Sequence, residues 1–115
     1  MIFSRLFAKR DAEASPQEIG HDELARALVD GACAVVDVRE PHEFDAGHIP
    51  GAVNLPLSRF RPDQLPKDKP VALICLGGRR SATALRQARA AGAADVRHYP
   101  GGMNGWRAQG GAVVR

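Results

Sequence analysis

Apolar positions along the chain switch between two periods, and the switches mark the elements. The run Val71-Ala72-Leu73-Ile74 is short, continuous and partly β-branched, which predicts a strand ending at Cys75 and buried on both faces. Ala34 to Val38 reads the same way, and Ala52 to Asn54 and Val96 to Tyr99 predict two more strands. Between them the spacing is helical. From Asp22 onward, Leu24, Ala25, Leu28 and Val29 form an i, i+1, i+4, i+5 stripe that Gly31 ends. Pro41 to Ala46 predicts a short helix stopped by Gly47, and Arg61 to Leu65 one irregular helical turn. Ser81 to Ala91 predicts a helix whose Ala82, Leu85 and Ala88 let it lie close to a sheet, and Met103 to Ala108 the last helix. Ser15-Pro16-Gln17-Glu18 fits a helix capping box with proline at its first position. Because a second helix start follows at Asp22, Gln17 to Ile19 is instead expected to be a short first strand.

This alternation predicts an α/β fold: an open, mainly parallel five-stranded sheet flanked by helices. Such sheets bind ligands beyond the carboxyl ends of their strands, where Cys75 falls. The chain has 115 residues, enough for one domain with a single core, expected over residues 16–115. Residues 1–15 are expected to be an N-terminal leader, either flexible or a short amphipathic helix. Ile2, Phe3, Leu6 and Phe7 would share one face there, with Arg5, Lys9 and Arg10 mostly off it. That segment lacks the apolar core and cleavage site of a secretory signal. No apolar run approaches the roughly 18 residues of a membrane span, so no transmembrane segment is expected. Two cysteines give no disulfide framework, and a reducing, cytoplasmic setting follows. A net charge of +3 suits small anionic substrates but is too weak and dispersed to predict nucleic-acid binding.

The chemistry concentrates at Cys75-Leu76-Gly77-Gly78-Arg79-Arg80-Ser81. The loop sets a thiol at a strand's end with a helix N-terminus just beyond it. Two glycines let the backbone fold back so that several N–H groups converge as an anion-binding nest. The helix dipole, those amides and two guanidiniums would all favour a thiolate. Cys75 and Arg80 are spaced as C-x4-R, one residue shorter than the C-x5-R loop with which cysteine-based phosphatases hold a phosphate. Cys33, between Ala32 and Ala34, reads as a small core residue rather than a resolving thiol. His42, His48 and His98 match no metal-ligand spacing. Arg39 and Glu43 are expected to form a structural ion pair that fixes the loop after them.

Three ordered motifs carry a resemblance. The C-x4-R loop is similar to the active-site loop of the rhodanese (sulfurtransferase) family. Asp37-Val38-Arg39, then Glu43-Phe44-Asp45-Ala46-Gly47-His48-Ile49-Pro50-Gly51-Ala52, then Asn54-Leu55-Pro56 resemble that family's D-x-R, E-[FY]-x-x-G-H-I-x-G-A and N-[IL]-P signature. Gly101-Gly102-Met103-Asn104-Gly105-Trp106 resembles its closing G-G-x-x-x-W. The resemblance runs from Pro16 to Val114. It implies a sulfane sulfur carried as a persulfide on Cys75 from thiosulfate or another persulfide to a thiol or cyanide. The amides of Leu76, Gly77, Gly78, Arg79 and Arg80 would hold the sulfur, Arg80 would close the loop, and Arg79 would recruit the anionic donor. No metal or organic cofactor is implied. The partners would be a small anionic sulfur donor and a thiol acceptor, with a sulfur-relay protein as a further one. Many relatives that use thiosulfate carry a basic residue directly after the cysteine. Leu76 stands there in this chain and favours a persulfide donor. Two other readings compete, a non-enzymatic sulfur carrier or sensor and a cysteine-dependent phosphatase or arsenate reductase on the same fold.

Overall fold

In the computed structural model, which describes residues 16–115, four strands pair in parallel in the order β2-β1-β3-β4. They are β1 (Ala34–Asp37), β2 (Val53–Asn54), β3 (Val71–Ile74) and β4 (Val96–His98). The helices are α1 (His21–Asp30), α2 (Pro41–Asp45), α3 (Arg79–Ala90) and α4 (Gly102–Ala108). Two 3-10 turns, Leu57–Arg59 and Pro62–Gln64, join β2 to β3, and the pattern anticipates only the second. The leader expected over residues 1–15 lies outside the described residues. No helix among the described residues is long and apolar enough to cross a membrane.

The expected α/β sheet is present with four strands, not five. Gln17 to Ile19 contributes a single parallel bridge, Glu18 to His98. Its bonds are His98 N–H to the Gln17 carbonyl and Ile19 N–H to the His98 carbonyl, each 2.9 Å. Pro16 has no N–H to extend this ladder, and Gly20 is already the N-cap of α1. Nothing longer can form between them.

The parallel strands are covered on both faces, and their side chains divide with period two. Val71, Leu73 and Cys75 join Val36, Val38, Ala84, Leu85 and Ala88 in a core under α3. Ala72 and Ile74 join Leu24, Ile49, Tyr99, Met103 and Trp106 in a second core under α1 and α4. On α3 the buried stripe is Ser81, Ala84, Leu85 and Ala88, with Ala82 only half-buried. The helix starts at Arg79, two residues before the expected Ser81, and its buried stripe shares Leu85 and Ala88 with the expected one. Val29, expected on the α1 stripe, is 87% exposed. At 100° per residue it lies well around the helix from Leu24, which carries the burial.

Beyond the end of β1 lies a buried ion pair. Arg39 Nε donates to Asp37 Oδ1 at 3.0 Å, and Nη2 donates to Asp37 Oδ2 at 2.8 Å. Nη2 also donates to the Gly47 carbonyl at 2.7 Å, which ties down the loop after α2. Asn54 Nδ2 bonds the Asp37 and Arg39 carbonyls at 3.0 and 2.8 Å, joining β2 to the same corner. Arg39 therefore pairs with Asp37 and not with Glu43. It precedes α2 in a bend outside the helix, so the i, i+4 spacing to Glu43 does not put the two side chains on one helix face.

Removing one member of a buried pair leaves the other charge uncompensated. Arg39→Met should lower unfolding stability by about 3–5 kcal/mol in urea titration, with Arg39→Lys recovering little because it lacks the planar fork. A loss below about 1 kcal/mol for Arg39→Met, the scale of an exposed pair, would show that the pair does not organise this corner.

Candidate active site

The alternation of β3 turns Cys75 toward α3, directly beneath the start of that helix. The chain leaves β1 toward β2 on one side and β3 toward β4 on the other, so Cys75 stands at the crevice where such sheets hold ligands. Two loops press together there. Met103 N–H donates to the Cys75 carbonyl at 2.8 Å, and Asn104 N–H to the Leu76 carbonyl at 3.1 Å. Gly102, at φ +63°, lies so close that a Cβ would run into the Leu76 carbonyl. Gly78, at φ +101°, caps α3, and a Cβ there would run into the Pro100 carbonyl. Glycine is required at both positions.

The Sγ of Cys75 is buried and accepts the Gly78 N–H at 3.1 Å. The Oγ of Ser81, on the first turn of α3, lies 3.5 Å from it. Burial pushes the thiol up, but the Ser81 hydroxyl and the amides of Ser81, Gly78 and Gly77 outweigh it and hold Cys75 below the ordinary cysteine value. The helix N-terminus acts in the same direction.

Of the expected loop residues, Gly77 and Gly78 present amides to the sulfur. Leu76 is 36% exposed at the mouth, and Arg79 is exposed beside it. Arg80 turns away from the sulfur to α2, where Nη1 and Nη2 meet Glu43 Oε1 and Oε2 at 2.7 and 3.0 Å. Glu43 pushes the Arg80 guanidinium up, and Cys75 adds a smaller effect in the same direction. Most of the donors that lower the thiol are thus amides and a hydroxyl, where the sequence pointed also to guanidiniums. Glu43 also accepts the Glu40 N–H at 3.1 Å as half of a capping box, so one carboxylate starts α2 and anchors the cysteine loop.

Cys33 sits half-buried against the α1 and α4 core, and burial raises its thiol. It precedes β1 at the amino ends of the strands, about 16 Å from Cys75 along the strand rise. The expected histidines are dispersed. His48 stacks on Phe44 with Nδ1 2.8 Å from the Phe44 carbonyl, and His42 lies exposed on α2. His98, on β4, approaches Ser81. Ser81 is the residue beside the sulfur that sequence reasoning missed, and Glu43, expected to pair with Arg39, pairs with Arg80 instead. Ser81 shows only as the residue after C-x4-R.

A family model for a rhodanese-like domain matches residues 20–109. An uncharacterised Synechocystis protein, slr1261, is 44% identical over 73% of this chain and 48% of its own length. A thiosulfate:glutathione sulfurtransferase of Saccharomyces cerevisiae is 33% identical, over 67% of this chain and 66% of its own. The crystal structure of a rhodanese-related protein from Thermoplasma volcanium superposes with a TM-score of 0.77 at 33% identity, covering 85% of this chain and 97% of that one. The chain spans about half the length of the first curated relatives it matches.

The Arg80 guanidinium, then the Glu40 amide, hold Glu43 down at about 2 against the opposing effect of burial. A depressed carboxyl stabilises the fold above its unfolded value, about 4.3, and that contribution fades as pH falls toward the folded value. The melting temperature of wild type should exceed that of Glu43→Gln by a constant margin from pH 7 to 5, shrinking between pH 4 and 2.5. A margin unchanged across that lower range would dissociate Glu43 from the loop's stability.

Proposed function

Because this chain belongs to the rhodanese-like domain family, we propose that it transfers sulfane sulfur through a persulfide on Cys75. The observation that carries this reading is the Cys75 sulfur itself, held at 3.1 Å by the Gly78 amide under the N-terminus of α3 in a C-x4-R loop. In the first half-reaction the thiolate attacks the outer sulfur of the donor. The Cys75 Sγ–S bond forms, the donor's S–S bond breaks, and the leaving group (sulfite, if thiosulfate is the donor) departs with the electron pair. The persulfide keeps one negative charge. In the second, an acceptor thiolate attacks that outer sulfur, carries it away as its own persulfide and restores the Cys75 thiolate.

The amides of Gly77 and Gly78 stabilise negative charge on sulfur in both directions, as an oxyanion hole does in acyl transfer. They act with Leu76, Arg79 and Arg80 as the substrate-binding loop. Arg79, exposed at the mouth, draws in an anionic donor, and the apolar Leu76 beside it favours a thiol persulfide over a small, strongly hydrated anion. The name of the yeast relative supports a thiol acceptor.

Incubation with thiosulfate or glutathione persulfide should add one sulfur atom to the intact mass, removed by cyanide or glutathione over many cycles. Cys75→Ser should gain none, and Cys33→Ala should behave as wild type. Loading without multiple turnover would favour a sulfur carrier. No sulfur uptake with cleavage of an aryl phosphate would overturn the reading in favour of a phosphatase.

A further inference from the structure

A chain of polar contacts leads from the buried sulfur toward the surface, and sulfur transfer as described does not use it. Cys75 Sγ lies 3.5 Å from Ser81 Oγ, and Ser81 Oγ lies 2.9 Å from His98 Nδ1. His98 Nε2 in turn lies 3.9 Å from Glu18 Oε2. Cys75, Ser81 and His98 are buried, and Glu18 is half-exposed. Three elements meet here. The first turn of α3 supplies Ser81, β4 supplies His98, and the single bridge between Glu18 and His98 holds the carboxylate beside the imidazole.

We propose that His98 is a positioning residue that takes up the Cys75 proton through Ser81 and holds it against Glu18 while the sulfur is a thiolate. A hydroxyl has one proton to give. In the thiol form, S–H donates to Ser81 Oγ, and the Ser81 O–H donates to the lone pair on His98 Nδ1. To ionise, the S–H bond breaks as a new O–H bond forms, and the original O–H bond breaks as an N–H bond forms on Nδ1. The electron pair stays on sulfur. The Ser81 hydroxyl now donates to the thiolate, and the imidazolium donates from Nδ1 to Ser81 Oγ. Its Nε2–H faces Glu18. When the resting thiol is restored, the same two steps reverse and the proton returns to sulfur.

The surroundings suit a proton acceptor. Burial holds His98 toward its neutral form, and Glu18 pulls the other way, toward the charged one. Glu18 is the charged group facing the imidazole. Arg97, the neighbour on β4, turns to Glu23 on α1 at 2.7 Å, and Arg89 on α3 donates to the Val96 carbonyl at 3.0 Å. The other acceptor for the Ser81 proton is the Gly78 carbonyl, a longer contact at 3.3 Å.

The purpose of this relay rests on the proposed sulfur transfer, but its readout is the protonation of Cys75, which exists whether or not the thiol carries sulfur. The test is peptide-resolved iodoacetamide labelling of Cys75 against pH in wild type, Ser81→Ala, His98→Asn and Glu18→Gln, each shown folded by thermal melting. His98→Asn keeps a side-chain bond to Ser81 but cannot accept a proton. It should slow labelling at pH 7 about tenfold, the size expected when one charged neighbour is lost. Glu18→Gln, which touches neither sulfur nor Ser81, should slow it in the same direction. In wild type the His98 imidazole resonances should inflect at the pH where Cys75 ionises, and Cys75→Ser should lose that inflection. Unchanged labelling in both His98→Asn and Glu18→Gln, with no inflection, would reduce His98 to a core residue. Altered labelling in the variants, with a wild type that takes up no sulfur, would keep the relay and overturn the sulfurtransferase reading. Normal sulfur uptake with unaltered labelling would overturn the relay alone.

Discussion

A sulfur anion inside a protein must be solvated by the protein, and the arrangement around Cys75 follows from that constraint. The thiol lies at the end of a strand buried on both faces, where burial by itself would keep it protonated. The opposing donors are backbone amides and the Ser81 hydroxyl, fixed before any substrate arrives. Amides converge on one point only if the chain reverses tightly. That reversal needs Gly78 at a positive φ against the Pro100 carbonyl, and Gly102 at a positive φ against the Leu76 carbonyl. Gly78 of the loop and Gly102 of the closing motif are therefore two halves of one interlock.

The signature around Asp37 serves the same site from the other side. Asp37 and Arg39 bind the end of β1 to the Gly47 turn, which fixes α2. From α2, Glu43 reaches across to Arg80 and holds the far end of the cysteine loop. Arg80 thus acts mostly on the loop's shape, while Arg79 beside it stays exposed. Two motifs far apart in the chain meet through one ion pair.

What the sequence made legible is what local chemistry dictates. Continuous apolar runs located β1, β3 and β4 to within a residue or so, and the Gly-Gly-Arg-Arg context marked the tight reversal that brings the Gly78 amide to Cys75. The fifth strand failed because Pro16 and Gly20 bracket too little extended backbone. The expected pairing of Arg39 with Glu43 failed because a helical spacing was applied across a strand-to-helix junction. Arg39 lies in the bend after β1, where its N–H and its guanidinium both turn back onto the Asp37 carboxylate. Ser81, His98 and Glu18 could not be linked in advance. They meet through the position of β4 beside β3 and through one isolated bridge, neither of which leaves a spacing in the chain.

The central claim is that this fold ionises one of its two cysteines and not the other. Burial raises both thiols, but only at Cys75 do donors outweigh it. The most direct measurement is the pH dependence of alkylation at each cysteine of the wild-type chain, resolved by peptide mass. The account predicts a Cys75 midpoint clearly below the value of about 8.5 for a free cysteine and a Cys33 midpoint above it. A Cys75 midpoint at or above that of Cys33 would contradict it.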